Sequence, residues 1–147
     1  MGKTNTARLE WKGENLNFRG QVGSGYEFDI SGQSGPENGG SPMEFLLVGV
    51  AGCTAMDVVH VLRKKRERIS GIEIEISGLR ADEIPAVYTE VDILYVIRGQ
   101  NVSATAVEQA IELSQTKYCS ASIMFKQAGV VVRTEYRIED EIGGFNR

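Results

Sequence analysis

Residues 41–68 read SPMEFLLVGVAGCTAMDVVHVLRKKRER, and this stretch decides the fold class. Ser41 is placed to cap a helix, Pro42 takes the first helical position, and Glu44 lies three residues after the cap. A cap, a first-turn proline and a carboxylate that can reach back mark a helix start. The spacing predicts a helix from Pro42 to about Arg68. Met43, Leu46, Leu47, Val50, Ala51, Cys53, Val58, Val61 and Leu62 leave little of its surface polar. A helix apolar nearly all round belongs at the centre of a fold. Its charge-free part ends at Met56, short of the ~20 residues a membrane span needs, so no membrane partner is expected. The basic run Arg63–Arg66 complements the negative end of the helix dipole.

On either side of this helix the pattern changes to period two. Upstream, Trp11, Phe18, Tyr26, Phe28 and Ile30 fall in strands and turns over residues 7–30, and a Gly-, Ser- and Asn-rich loop covers 31–40. Downstream, Ile72, Ile74 and Ile76 alternate with Glu73, Glu75 and Ser77. A second strand follows through Val87, Val91, Ile93, Tyr95 and Ile97. Ser103 caps a second helix whose inner stripe is Val107, Ala110, Ile111 and Ser114, continuing with a break near Tyr118 to about Gln127. A last strand runs through Val130–Ile138, and the tail GGFNR is expected to be loose. Strands grouped before and between helices indicate an α+β fold. One small sheet cannot cover so apolar a helix, so a second subunit, hence a homodimer, is expected to bury the rest.

The chain is 147 residues long and is read as one domain, 1–147. A formal charge of −4 argues against a nucleic-acid partner. Two cysteines are too few for a disulfide scaffold, and too few for a four-ligand zinc site, with only one histidine to add. No metal and no cofactor are therefore expected. The opening residues lack an apolar leader, and a cytoplasmic protein with reduced thiols is the expectation.

Cys53 and Cys119 are then the prominent reactive groups, 66 positions apart. Two inert buried thiols fit the composition. So does a thiolate nucleophile with a resolving partner. Asp57 follows Cys53 by four residues, on the same helix face. In an apolar helix that carboxylate needs either a neutralising cation or a place in a site. His60 lies about 10 Å further along the axis than Cys53, out of hydrogen-bond reach. Glu44 lies about 14 Å before Cys53. It either closes the capping box or acts at another subunit's thiol.

The segment 41–59, SPMEFLLVGVAGCTAMDVV, with Pro42 eleven residues before Cys53, resembles the first-cysteine helix of the OsmC/Ohr family. These are osmotically induced and organic-hydroperoxide-resistance proteins. KYCSASIMF around Cys119 matches the family's second cysteine in a late helix, and WKGENLNFRGQVGSGYEFDI resembles its opening strands. The element order agrees along nearly the whole chain, and the match is to the OsmC-like subgroup. The resemblance implies antiparallel sheets around two long central helices in an intertwined homodimer. It implies a thiol-dependent peroxidase acting on organic hydroperoxides without metal, haem or flavin. Cys53 would attack the peroxide, Cys119 would close a disulfide, and an external dithiol would reopen it. Arg19 and Glu44 would be the supporting Arg and Glu, and Asp57 a participant peculiar to the subgroup. Arg19 reads equally as a surface arginine at a strand end.

Two positions differ from the pattern of the peroxidase members. Met43 stands where they have Glu, and Ser120 where they have Pro. These differences motivate a second function class, a non-catalytic small-molecule binding or stress protein on the same fold.

Overall fold

The structure, a computed structural model, describes residues 2–141. The expected loose tail therefore lies outside the described residues. The chain divides into two compact units, one up to Leu46 and one from Leu47 on.

The first unit is a three-stranded antiparallel sheet: β1 (Ala7–Trp11), β2 (Asn17–Val22) and β3 (Glu27–Ser31), in that order. The register sets Arg19 opposite Asp29. The loop that leaves β3 passes Gly39 at φ +109°, where a Cβ would sit 2.3 Å from the Asp29 carbonyl oxygen. Only glycine fits that crossing. Ser41 and Glu44 then close the capping box. Ser41 N donates to Glu44 Oε1 at 2.8 Å, and Glu44 N donates to Ser41 Oγ at 3.2 Å.

Helix α1 (Pro42–Lys64) is one turn shorter than the expected run to Arg68. It ends in a Schellman motif. Glu67 N donates to the Leu62 carbonyl, Arg66 N donates to the Arg63 carbonyl, and Arg66 adopts φ 63°. Glycine is the usual occupant of that left-handed position, and with Arg66 there the sequence carries no stop signal. Arg68 already opens β4 (Arg68–Arg80).

The second unit holds β4, β5 (Tyr88–Gln100) and β6 (Val131–Asp140), in the order β4-β5-β6. The expectation of antiparallel sheets holds for β4 against β5 but not for β6, which pairs with β5 in parallel. The reason is the connection. A parallel neighbour needs a crossover of a dozen or more residues, and helices α2 (Ala104–Leu113) and α3 (Ser120–Gln127) supply it. Ser103 caps α2 as expected, accepting from Ala106 N at 3.1 Å.

The core of this unit lies on one face of β5. Val91, Ile93, Tyr95 and Ile97 are buried there, with Val107 and Ala110 of α2 and Val50, Thr54, Val58 and Leu62 of α1 also buried. Residues 50, 54, 58 and 62 recur every fourth position and form one stripe of α1. Each fully buried Val or Leu contributes roughly 1.5–3 kcal/mol. The other side of α1 also carries apolar side chains, and they are uncovered: Val48 is 61% exposed and Met56 74%. By length and composition alone α1 could cross a membrane.

Candidate functional site

Cys53 lies one turn before Asp57 on α1 and is half-buried. Cys119 reaches the same place from the crossover. The route is a turn of π-helix, Ser114–Tyr118, between α2 and α3. An α-helical continuation of the inner stripe from Ala110 and Ser114 would next turn residue 118 inward. The π turn holds one extra residue, so Cys119 faces inward instead and is wholly buried, while Tyr118 is 48% exposed. The Cys119 N–H donates to the Ser114 carbonyl at 2.7 Å, five residues back. The Gln115 carbonyl, bypassed by that shift, accepts from Lys126 Nζ at 2.8 Å.

Cys119 then breaks the helix and caps the next one. Its sulfur accepts from Ser122 N at 3.4 Å and bonds Ser122 Oγ at 3.2 Å. Burial pushes the Cys119 thiol up, and the two Ser122 hydrogen bonds draw it partly back. Ser120 stands at the first position of α3, just after a residue in extended conformation (ψ 95°). Proline is favoured at such a position, and its predecessor is already out of the helical region that proline disfavours. The break therefore forms without the proline that the peroxidase members carry. Ser120→Pro is expected to fold normally and to gain about 0.4–1 kcal/mol. A urea titration with a midpoint below that of wild type would show that the Cys119 turn differs from this geometry.

The two sulfurs and a carboxylate oxygen of Asp57 all lie within 4.8 Å of one another. The elements bring together three of the five residues named from the sequence. Asp57 Oδ2 accepts from Ser114 Oγ at 2.9 Å, so among the described residues the carboxylate is met by a hydroxyl rather than by a cation. That bond orders a longer chain. Ser114 Oγ and Thr54 Oγ1 are 2.7 Å apart, and Thr54 Oγ1 and Tyr95 Oη are also 2.7 Å apart. Each hydroxyl has one proton. With Ser114 donating to Asp57, Thr54 must donate to Ser114, and Tyr95 to Thr54. Three hydroxyl protons thus point toward one carboxylate, and burial pushes the Tyr95 phenol up, keeping it a donor.

Gln115 must then present its NH2 group to this chain. Its Nε2 lies 3.3 Å from Thr54 Oγ1, 3.2 Å from Tyr95 Oη and 3.2 Å from Ser122 Oγ. Its Oε1 is buried without a partner among the described residues. Sequence reasoning missed Thr54, Tyr95, Gln115 and Ser122 as site residues. The available signal was a polar side chain at inward positions of apolar patterns, as Ser114 in the α2 stripe already illustrates.

Arg19 and Glu44 belong to the first unit and are engaged there. Arg19 Nε donates to Asp29 Oδ1 at 2.9 Å and Nη1 to Glu27 Oε1 at 3.2 Å. Asp29, also paired with Lys12 at 2.8 Å, is held below the usual carboxylate range by Lys12 and Arg19. Glu44 is lowered by the backbone N–H of Ser41 and by the Ser41 side chain. His60 is exposed. A cleft of ≈ 550 Å³ opens beside Asp57, lined by Val61, Leu113 and Tyr118 with His60, Lys64 and Lys65.

The family model described as OsmC-like protein matches residues 35–135, the span from the loop before α1 into β6. The chain belongs to the OsmC-like family. Protein YhfA of Escherichia coli K12 is 35% identical over 122 residues, covering 83% of this chain and 90% of YhfA. A crystal structure of a hypothetical protein from Aquifex aeolicus VF5 is 32% identical, with a TM-score of 0.85 over 95% of this chain and 99% of that one. The fold is shared at lower identity by the organic hydroperoxide resistance protein OhrB of Bacillus subtilis. There the TM-score is 0.60 and the identity 18%, over 92% of this chain and 98% of OhrB. In this OsmC-like chain α1 carries Cys53, and Cys119 caps α3. The Tyr95–Thr54–Ser114 chain onto Asp57 is what the geometry adds.

Proposed function

We propose that this OsmC-like protein is a thiol peroxidase that reduces organic hydroperoxides. The observation that carries the reading is the approach of the Cys53 and Cys119 sulfurs to within 4.8 Å of each other and of Asp57. The Cys53 thiolate attacks the O–O bond of the hydroperoxide. An S–O bond forms, the O–O bond breaks, and the alkoxide leaves as the alcohol with the proton that the Cys53 thiol gave up on ionising. Cys119 then attacks the sulfenic sulfur. The S–S bond forms, and the hydroxyl leaves as water with the proton that the Cys119 thiol gives up. Asp57 is the carboxylate placed to take that proton and pass it on. An external dithiol reopens the disulfide and is itself oxidised, which suits a compartment that keeps thiols reduced.

The apolar wall of Val61, Leu113 and Tyr118 favours an alkyl chain on the peroxide over hydrogen peroxide. Val48 and Met56 on the outer face of α1 are the surface a second copy of the chain would cover. The inner face of that helix is already bonded to Tyr95 and Ser114 through Thr54, which suits a core helix rather than a membrane span. Sedimentation is expected to give twice the chain mass.

The deciding experiment counts thiols. Reduced protein given one equivalent of cumene hydroperoxide per chain should lose both thiols and gain one intramolecular disulfide. Retention of both thiols would favour the binding-protein reading. Arg19 held by Asp29 and Glu27, and Glu44 held by Ser41, give that alternative its support.

A further inference from the structure

We propose that the reduced protein binds one thiophilic divalent cation of the zinc class through Cys53 Sγ, Cys119 Sγ and a carboxylate oxygen of Asp57. These three ligand atoms lie within 4.8 Å of one another. Tetrahedral zinc with sulfurs at about 2.3 Å holds them roughly 3.8 Å apart, so small side-chain rotations suffice. Two cysteines and one histidine could not supply four ligands from the sequence, but the fold adds the Asp57 carboxylate to the two sulfurs. Three protein ligands with an open fourth position make a complete zinc site when water or a small thiol fills the remainder.

The surroundings resemble a metal site's outer layer. Ser114 Oγ donates to Asp57 Oδ2 at 2.9 Å, which orients the carboxylate. Thr54 and Tyr95 in turn hold Ser114. Cys119 is fixed by the π turn and by Ser122, whose N–H meets the sulfur at 3.4 Å. Two soft sulfurs and one hard oxygen favour zinc, cadmium or cobalt over magnesium or calcium. Binding exchanges two thiol protons for the cation and moves no electrons. The thiolates and the carboxylate then bring three negative charges against two positive ones. The same sulfurs cannot hold a cation and form a disulfide, so cation and hydroperoxide would compete for the reduced site.

The test uses no peroxide, so its failure and the failure of the peroxidase reading are distinguishable. Reduced protein is titrated with Co2+ without oxygen and then challenged with Zn2+. The expected result is one Co2+ per chain, with thiolate-to-cobalt charge transfer and the intense visible bands of a tetrahedral site, both bleached by one equivalent of Zn2+. Asp57→Asn should weaken Co2+ binding at least tenfold, and Ser114→Ala about tenfold through the orientation of Asp57. Cys53→Ser, at a half-buried position that tolerates the change, should abolish the charge-transfer band, as should prior oxidation to the disulfide. The proposal is overturned by a weak octahedral spectrum, by unchanged affinity in Asp57→Asn, or by an unchanged band in Cys53→Ser.

Discussion

Cys53→Ser should reduce the dithiol-dependent consumption of tert-butyl hydroperoxide by at least about a thousandfold, to the uncatalysed background. Removing a covalent nucleophile deletes the first bond-forming step, and little else in the site can replace it. Cys119→Ser should behave differently. The first step survives, so one equivalent of alcohol appears per chain, and turnover then slows because no second sulfur closes the disulfide. The sulfenic acid left on Cys53 can be trapped by a dimedone-type reagent and read as a mass shift. Asp57→Asn should leave that first equivalent intact and slow disulfide closure by about a hundredfold, through loss of the proton acceptor. A Cys53→Ser enzyme that turns over like wild type would end the peroxidase reading. Prompt disulfide closure in Asp57→Asn would end the proton-transfer role.

Gly99→Ala should destabilise the fold strongly. Gly99 lies on the central strand β5, paired with both β4 and β6. A Cβ there would stand 2.1 Å from the Arg68 carbonyl oxygen, 2.8 Å from Val102 Cγ2 and 2.9 Å from Ile69 Cα. Two of these obstacles are backbone, and β4 is already bulged between Ile69 and Gly71. Neither can yield without breaking the strand pairing. The cost should be about 3 kcal/mol, lowering the melting temperature by roughly 6–12 °C. Gly71→Ala is the matched control, since the nearest atom to its Cβ is Arg98 Cβ at 4.0 Å. Thermal melts that place Gly99→Ala within about 2 °C of Gly71→Ala, a difference of no more than ~1 kcal/mol, would contradict this packing.

The capping box of Ser41 and Glu44 illustrates what was legible in advance. It is a contact three residues long, and backbone geometry alone determines it. The same contact is why Glu44 is engaged within the first unit. Arg19 is the opposite case. Its two readings could not be separated without knowing that Asp29 pairs across the strand and Glu27 lies beside it. The α1 terminus failed for a related reason. A Schellman end needs one left-handed residue, and nothing local distinguishes Arg66 in that role from its basic neighbours.

The α+β class, the start of α1, the alternation of the strands, and Cys53 and Asp57 on one helix face were all legible from the residues alone. Each follows from periodicity or capping, which reach no further than a few residues. The tertiary structure alone decided that β6 joins β5 in parallel, that Cys119 rather than Tyr118 faces inward, and that Asp57 ends a chain of hydroxyls. The inward turn of Cys119 depends on a single extra residue in one helical turn. The bonds that accompany it join Ser114 to Thr54 and Asp57, and Gln115 to Thr54 and Tyr95, all far away in the chain. A local pattern cannot anticipate a turn whose partners arrive from other elements, and that turn is what brings the second thiol to the first.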